Sequence, residues 1–505
     1  MRIAFVHAGT ESPAIECLSA VLKQQGHQTC LAFDPQLLAD AYLPVPRLGR
    51  FFSLKNEIVR QLEEFRPDIV GFSVMTDSYR WALALAKVVK ERLAVPIIFG
   101  GIHPTCLPES TLSNPQVDVV CVGEGEHAMT VLATLWDEGR RLTDLPDIPG
   151  LWFERNGQLV ATGVGPLADD LDGLPFADKQ LFYDAMPVMK KHFNISTSRG
   201  CPHNCTFCCT PVVRDMYKDT GRYWRRRSTE NSLAELVEAK EKWNYRSVSF
   251  LDDIFTIDKK WLKEFLPQYK QRIALPYFCL VHPATVDDET AELLRDSGCV
   301  NVELGVQTVN EELRRLVLRR RGTNEQIAAA IKALRSVGIT VMTDFMVDLP
   351  GETDETNLEA AEFFVESRPS IVNFLRLCYF PRTEIVDIGL DKGTLTQDKL
   401  VSIEQGSISS FVAKGSSADP ARYRGLEAFM SLTPFMPRWF TRWILRKRLL
   451  RLFRAVPSVV SLLLPRFMAI LFLKDLRSRE HMRRILYSFR YVWLVKTAMR
   501  KRARG

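Results

Sequence analysis

The chain has 505 residues, 46% of them hydrophobic and 25% charged, which calls for two or three packed globular domains and excludes a disordered or fibrous chain. Eleven cysteines behind an N-terminus that reads as a buried strand, not a secretory signal, fit a reducing cytoplasm and exclude a disulfide-stapled secreted scaffold. The net charge of +7 is uneven: residues 430–505 hold 19 Lys/Arg against 2 Asp/Glu and the remainder 48 against 58, so a mildly acidic body carries a basic tail suited to a polyanionic surface.

Residues 1–140 alternate strand and helix. Arg2–Val6 is an apolar strand; Ser12 caps a helix that holds Pro13 in its first turn and Ile15, Leu18, Val21 and Leu22 on one face, with Gly26 as its stop. Further strands are expected at Asp68–Val74, Pro96–Phe99 and Val117–Val122, with helices near Tyr79–Glu91 and up to about Glu138. Continuous apolar strands with helices between them predict a doubly wound parallel sheet, which binds ligands beyond the carboxyl ends of its strands. Gly100, Gly101, Gly123 and Gly125 fall at those ends. Residues 141–192 read as a hairpin turning at Asn156-Gly157, then a linker with Pro166, Pro175 and Pro187.

From 193 to 400 the alternation resumes. Strands are expected near 194–198, 246–251, 276–281, 300–306, 340–347 and 371–377, and Gly298 and Gly338 stop two of the intervening helices. Six such units suit an open (β/α)6 barrel, whose reacting groups gather at the carboxyl ends of the strands. After the first strand comes Cys201-Pro202-His203-Asn204-Cys205-Thr206-Phe207-Cys208. Thiolates are the usual ligands of iron–sulfur clusters, and three of them hold three irons of a cubane while the fourth stays open to a small molecule. The other readings are buried thiols or structural zinc, which usually needs a second ligand pair that this chain lacks. Cys209 is taken as a bystander.

The CxxxCxxC spacing, Phe207 before the last cysteine and the place after the first strand resemble the radical S-adenosylmethionine (SAM) enzymes. The resemblance implies a [4Fe-4S] cluster on Cys201, Cys205 and Cys208 that binds and cleaves SAM to a 5'-deoxyadenosyl radical. It implies SAM contacts from Asp252 and Asp253 to the amino group, and from Glu303 and Gln307 to the ribose and carboxylate. The turn Met346–Thr353 is placed beside the adenine. Phe207 would pack near the adenine or in the core, and Asp253 has a helix N-cap as its other reading. Arg222 and Arg225-Arg226-Arg227, around Tyr223-Trp224, read as a rim or as a contact to the N-terminal domain in preference to an RNA patch.

Residues 1–140 resemble the cobalamin-binding domain found before radical SAM domains, through Ser73-Val74-Met75-Thr76, Gly100-Gly101-Ile102-His103-Pro104 and Val122-Gly123-Glu124-Gly125-Glu126. That implies cobalamin contacts at Ser73, Thr76, Gly100, Gly101, His103, Gly123, Glu124 and Gly125. The Asp-x-His-x-x-Gly pattern that carries the cobalt-binding histidine in many such domains is replaced by His7-Ala8-Gly9-Thr10-Glu11-Ser12, so His7 and His103 read as polar loop contacts.

In the tail, 439–454 mixes arginine with Trp, Phe and Leu, and 455–473 carries only Arg466 as a charge but is broken by Pro457 and Pro465. A pair of helices lying in the plane of an anionic membrane surface is expected over a crossing, with a helical cap on the barrel as the alternative. Nucleic acid is disfavoured by the apolar density. The expected activity is methylation of an unactivated carbon of a small hydrophobic substrate, a lipid or tetrapyrrole. It would draw electrons from a flavodoxin or ferredoxin, on the cytoplasmic face of the membrane. The rivals are a cyclase like that of anaerobic magnesium-porphyrin synthesis, and a membrane-associated cobalamin- or redox-sensing protein. A tRNA methylthiotransferase would carry a second cysteine cluster, which Cys17, Cys30, Cys106 and Cys121 do not form.

Overall fold

The computed structural model describes residues 1–37, 52–407, 421–473 and 475–502, with positions 49 and 419. The N-terminal strands are apolar on both faces because helices cover both. Strands β1 (Arg2–Ala8), β2 (Gln28–Asp34), β3 (Ile69–Ser73), β4 (Ile97–Gly100), β5 (Val119–Cys121), β6 (Leu151–Arg155) and β7 (Gln158–Val160) form one sheet in the order β2-β1-β3-β4-β5-β6-β7. The first five are parallel. Ile3, Phe5 and Ile98 pack under helices Pro13–Gln24 and Glu126–Asp137. Ala4, Val70 and Phe99 pack on the other face, under Lys55–Phe65 and Tyr79–Leu93. Ser12 caps the first helix by accepting from the Ile15 amide at 3.4 Å, as its sequence predicts.

Two features differ from the sequence reading. β2 was not among the expected strands; it is an edge strand whose first residue is exposed and whose next three are half-buried, so it lacks the apolar run of its neighbours. The Asn156-Gly157 turn forms with both residues at positive φ, +54° and +73°, but its strands are not a separate unit. β6 pairs antiparallel with β5, and the hairpin becomes the edge of the first sheet.

The second sheet is six-stranded and wholly parallel: β8 (Phe193–Ile195), β11 (Val248–Phe250), β12 (Tyr277–Val281), β13 (Cys299–Gln307), β14 (Thr340–Val347) and β15 (Ile371–Arg376), side by side in chain order. Between β8 and β11, the short strands β9 (Ser198–Arg199) and β10 (Arg225–Arg226) pair antiparallel. This is the open barrel. Its outer core is aromatic: the Phe250 ring meets Tyr277 edge-on at 5.2 Å and Phe255 in a stack at 4.3 Å. The same cluster continues past residue 400, since Tyr423, Phe429, Met430, Ile444 and Leu445 belong to it.

The tail helices Ser458–Phe472 and Leu476–Arg502 close the amino ends of the barrel strands. Fully buried Asn301, early in β13, donates to Asp475 and accepts from the Leu476 amide at 3.0 Å, and Thr340 at the start of β14 donates to the Leu473 carbonyl at 3.0 Å. The capping alternative for the tail is therefore present, and no described helix is long and apolar enough to cross a membrane. Asn301→Ala leaves buried Asp475 short of a donor and is expected to cost about 1.5–3 kcal/mol. A lower denaturant midpoint, with faster tryptic cleavage confined to the tail, checks it.

Candidate functional site

The cysteine loop is rooted by Asp252. This carboxylate, at the end of β11, is buried and accepts from the Thr197 amide at 3.2 Å, the Thr197 hydroxyl at 2.8 Å and the Ser198 hydroxyl, with Arg226 3.7 Å away. Its acceptor capacity is thus engaged by the chain that leads into Cys201. Asp253 is the open member of the pair and faces the loop: its charge adds to burial in raising the Cys201 thiol to about 11 and pushing the Cys208 thiol up. Surrounding protein, and then Asp252, raise the Asp253 carboxyl as well. The helix N-cap offered as its other reading belongs to Asp258. Cys205 is buried, Cys201 and Cys208 are half-buried, and Cys208 caps helix Cys209–Met216.

Among the described residues no three His, Cys, Asp or Glu side chains converge on a single-ion site. A cubane asks for something else, one thiolate on each of three irons. The half-buried thiols on one short loop suit it, and a cation stands beside them: the Arg320 guanidinium lies 3.5 Å from Cys205 Sγ and donates to the Gly305 carbonyl at 2.8 Å.

Around the loop, the carboxyl ends of three strands leave buried polar atoms without a partner: His282 Nε2 after β12, Gln307 Oε1 at the end of β13 and Asp348 Oδ2 after β14. Gln307 and Asp348 also hold positive φ, +66° and +67°, uncommon for residues other than glycine. Unsatisfied polar atoms and backbone strain gather where a ligand completes the site, so this rim fits SAM. The His203 and His282 rings stack at 4.5 Å beside it. Phe207 packs in a small core under the strand ends with Leu349 and Tyr379. Glu303 lies apart, four residues back along β13, in an ion pair with Arg477 of the tail.

Beneath the rim the barrel encloses a cavity of 660 Å³. Phe278, Glu303 and Asp344 line it, each four residues before a rim residue and thus about 13 Å deeper. The Asp344 carboxyl, pushed up to about 6 by burial, accepts from Asn373 at 3.1 Å.

In the N-terminal domain a second cavity, 380 Å³, opens beyond the strands at the β1/β3 switch point. Ser73, Gly100, Gly101, Gly123, Glu124 and Gly125 all line it, and Ser198 and Arg199 of the barrel complete its wall. Gly100, Gly101, Gly123 and Gly125 bring bare backbone to its wall, between apolar side chains such as Phe5 and Ile98, which suits close approach by a large flat cofactor such as cobalamin. Thr76 and His103 are not in the lining. The buried His103 ring meets Thr76 Oγ1 at 3.2 Å and lies over Tyr79 at 4.0 Å, and burial lowers it to about 4. His7 is likewise lowered to about 4 by burial. Glu124 serves the domain boundary: it pairs with Arg225, lies 3.3 Å from Arg199 and accepts from the Ala168 amide, while Glu126 holds Arg199 at 2.6 Å. Burial works against the Glu124 charge, but the Arg225 hydrogen bond and both guanidinium charges win, and its carboxyl ends below the usual range. Of the arginines read from sequence as a rim or as a contact to the N-terminal domain, buried Arg225 makes that contact through Glu124, and Arg226 is half-buried.

Sequence reading missed Arg320, His282 and Tyr217. Arg320 sits in a visible Arg319-Arg320-Arg321 run, but nothing in the sequence marks Tyr217, whose hydroxyl accepts from the Glu124 amide at 2.7 Å and joins the cysteine-loop helix to the N-terminal sheet.

Two buried carboxyls share one ammonium at the same boundary: Lys179 Nζ lies 2.6 Å from Glu16 and 3.9 Å from Glu11. Burial pushes Glu16 up to about 8 from an ordinary 4.5 and raises Glu11 too. In that window the folded chain holds a proton that the unfolded chain has lost. The contribution of this carboxyl to stability is therefore fully present below about 4.5 and is lost as pH climbs towards 8. Glu16→Gln is expected to flatten this slope in denaturant midpoints taken across the window.

A family model for the radical SAM superfamily matches residues 195–364, and one for the B12 binding domain matches residues 5–133. An uncharacterized methyltransferase of Pyrococcus horikoshii is 28% identical over 59% of this chain, which spans 64% of that protein. The anaerobic magnesium-protoporphyrin IX monomethyl ester cyclase of Rubrivivax gelatinosus is 25% identical over 76% of this chain and 69% of its own. Among solved structures, the cobalamin-dependent SAM radical enzyme OxsB, with aqua-cobalamin and SAM bound, superposes with a TM-score of 0.65 at 16% identity, covering 100% of this chain and 80% of that one. It has the same fold.

Proposed function

We infer that this chain, which belongs to the radical SAM enzymes that carry a B12-binding domain, transfers a methyl group to an unactivated carbon of a largely apolar substrate. Its cofactors are a [4Fe-4S] cluster, SAM and cobalamin. When bound, the cluster and SAM supply a radical that takes hydrogen and cobalamin supplies the methyl group. The protein's own part is placement. Cys201, Cys205 and Cys208 hold the cluster; His282, Gln307 and Asp348 offer polar atoms that want partners; the Glu124–Arg225 and Glu126–Arg199 pairs fix one domain against the other.

The observation that carries the reading is the 660 Å³ barrel cavity. Phe278, Leu280, Met342, Ile371 and Leu375 make much of its wall, and eight charged residues, Glu303, Arg477 and Asp344 among them, reach it as well. That is the make-up of a site for an apolar body that also carries several polar groups. The similarity to a methyltransferase supports methyl transfer. A second reading, oxidative cyclisation, is favoured by the cyclase relative, which matches 76% of this chain against 59% for the methyltransferase.

The test is anaerobic reconstitution with iron, sulfide and hydroxocobalamin, then SAM and a reductant. Methyl transfer predicts 5'-deoxyadenosine together with S-adenosylhomocysteine and a methylcobalamin spectrum. Deoxyadenosine with cobalamin bound but never methylated would overturn it in favour of the cyclase reading.

A further inference from the structure

The tail helix Ser458–Phe472 is turned inside out. Its inward positions are small or polar: Ser461, Pro465 and Ala469, four residues apart, are buried against the barrel. Its outward positions are large and apolar: Val460, Leu464, Phe467 and Leu471 form one stripe at 38%, 40%, 55% and 57% exposure, and Phe472 beside them is 69% exposed. A helix whose only task was to plug the barrel would bury its large side chains. Contiguous exposed apolar surface marks an interaction or membrane site.

The following helix, Leu476–Arg502, adds the charge. Ser478, Ile485 and Val492, seven residues apart, are its buried seam, while Arg479, Arg483, Leu486, Arg490 and Trp493 recur at helical spacing on the exposed side. Arg479 reaches back to the Ile470 carbonyl at 3.2 Å, so the basic start of this helix lies beside the apolar end of the other. Arg483 pairs with Glu480, yet two acidic residues against 19 basic ones leave the tail a large positive excess.

We propose that this helix pair docks in the plane of an anionic phospholipid bilayer, with the Val460–Leu471 stripe at the acyl boundary and the arginines and Trp493 among the headgroups. Apolar stripe, interleaved arginine and interfacial tryptophan are what such a surface selects. The described helices are too short or too polar to cross, which leaves the in-plane arrangement. A second copy of the chain would match the stripe but repel through the excess charge; a bilayer of acidic lipid complements both. The inward face of the same helix contributes Ser461, Pro465 and Arg466 to the barrel cavity, which puts that cavity one helix away from the lipid. Delivery of a membrane-borne substrate to it rests on the functional reading above; docking itself does not.

The full-length, cofactor-loaded protein is floated with vesicles of phosphatidylcholine alone and of phosphatidylcholine with phosphatidylglycerol. Binding to the anionic vesicles is expected, with at least a tenfold loss on neutral vesicles or in high salt. F467S/L471S is expected to lose about tenfold or more on anionic vesicles while keeping its thermal midpoint and its 5'-deoxyadenosine formation, because both side chains lie on the surface. No binding to anionic vesicles, or binding indifferent to F467S/L471S, overturns the proposal. So does a concentration-dependent dimer, broken by F467S/L471S, in a protein that ignores vesicles. Vesicle binding without methyl transfer supports the docking surface and counts against the methyltransferase reading alone.

Discussion

Replacing Cys201, Cys205 or Cys208 by alanine is expected to abolish 5'-deoxyadenosine formation, while Cys209→Ala leaves it near the unaltered level. On the functional reading above, each of the three thiolates would bind its own iron, so removing one would leave that iron without its protein ligand. Arg320, 3.5 Å from Cys205 Sγ, is a cation and cannot take the place of a lost thiolate. Cys209, though adjacent in sequence, opens the helix after the loop, and its thiol interacts with Cys106 of the N-terminal domain. Cys201 and Cys208 are half-buried, so their loss costs little packing and the fold persists. Iron and sulfide content after reconstitution, the reduced-cluster electron paramagnetic signal and deoxyadenosine by chromatography check this together. A Cys208→Ala protein that still cleaves SAM would refute the assignment.

The second large effect is expected from Gly123→Ala. Gly123 sits at φ +85°, where a side chain costs about 1–2 kcal/mol. Its Cβ would also overlap the Tyr217 hydroxyl and come within 2.9 Å of Tyr217 Cζ. Tyr217 cannot swing away freely: it is buried at 1% exposure, and its hydroxyl is bound to the Glu124 amide. Strain and overlap together come to about 2–5 kcal/mol. The contact joins the wall of the N-terminal cavity to the helix behind the cysteine loop, so the loss reaches both sites. A lower thermal midpoint and less cobalamin retained after gel filtration are expected, with Tyr217→Phe relieving part of the defect in the double variant. If Gly123→Ala keeps its midpoint and its cobalamin, the close packing of the two domains at this point is wrong.

How much of the site could be read in advance follows from how local each signal is. The cysteine triplet occupies eight consecutive residues, and its meaning rests on spacing alone. Ser73, Gly100, Gly101, Gly123, Glu124 and Gly125 were readable as one group because each follows a strand of a parallel sheet, and such a sheet brings all its strand ends to one edge. Thr76 and His103 were grouped with them by motif, yet they bond each other outside the cavity wall. Asp252 and Glu303 look alike as acids at or near strand ends, but Asp252 is held by Thr197 and Ser198, while Glu303 is held by Arg477 of a distant tail. Nothing in either local segment distinguishes those fates.

By itself the sequence determined the two parallel sheets, the six barrel strands, the cluster loop and the basic character of the tail. Those are consequences of apolar runs, turn residues and charge counts over short stretches, where the chemistry of neighbours in the chain decides the outcome. Only the tertiary structure decided that the hairpin joins the first sheet, that the barrel core runs on to Leu445, and that Glu124 is held by arginines of the barrel. It alone also decided that His282, Gln307 and Asp348 are left unsatisfied around one rim, and that the tail buries its serine and proline and shows its phenylalanine and leucine to the outside. Each of these depends on which surfaces meet across some thirty to several hundred residues of chain, or on which face of a helix the rest of the protein covers, and a one-dimensional pattern carries the face but not the neighbour.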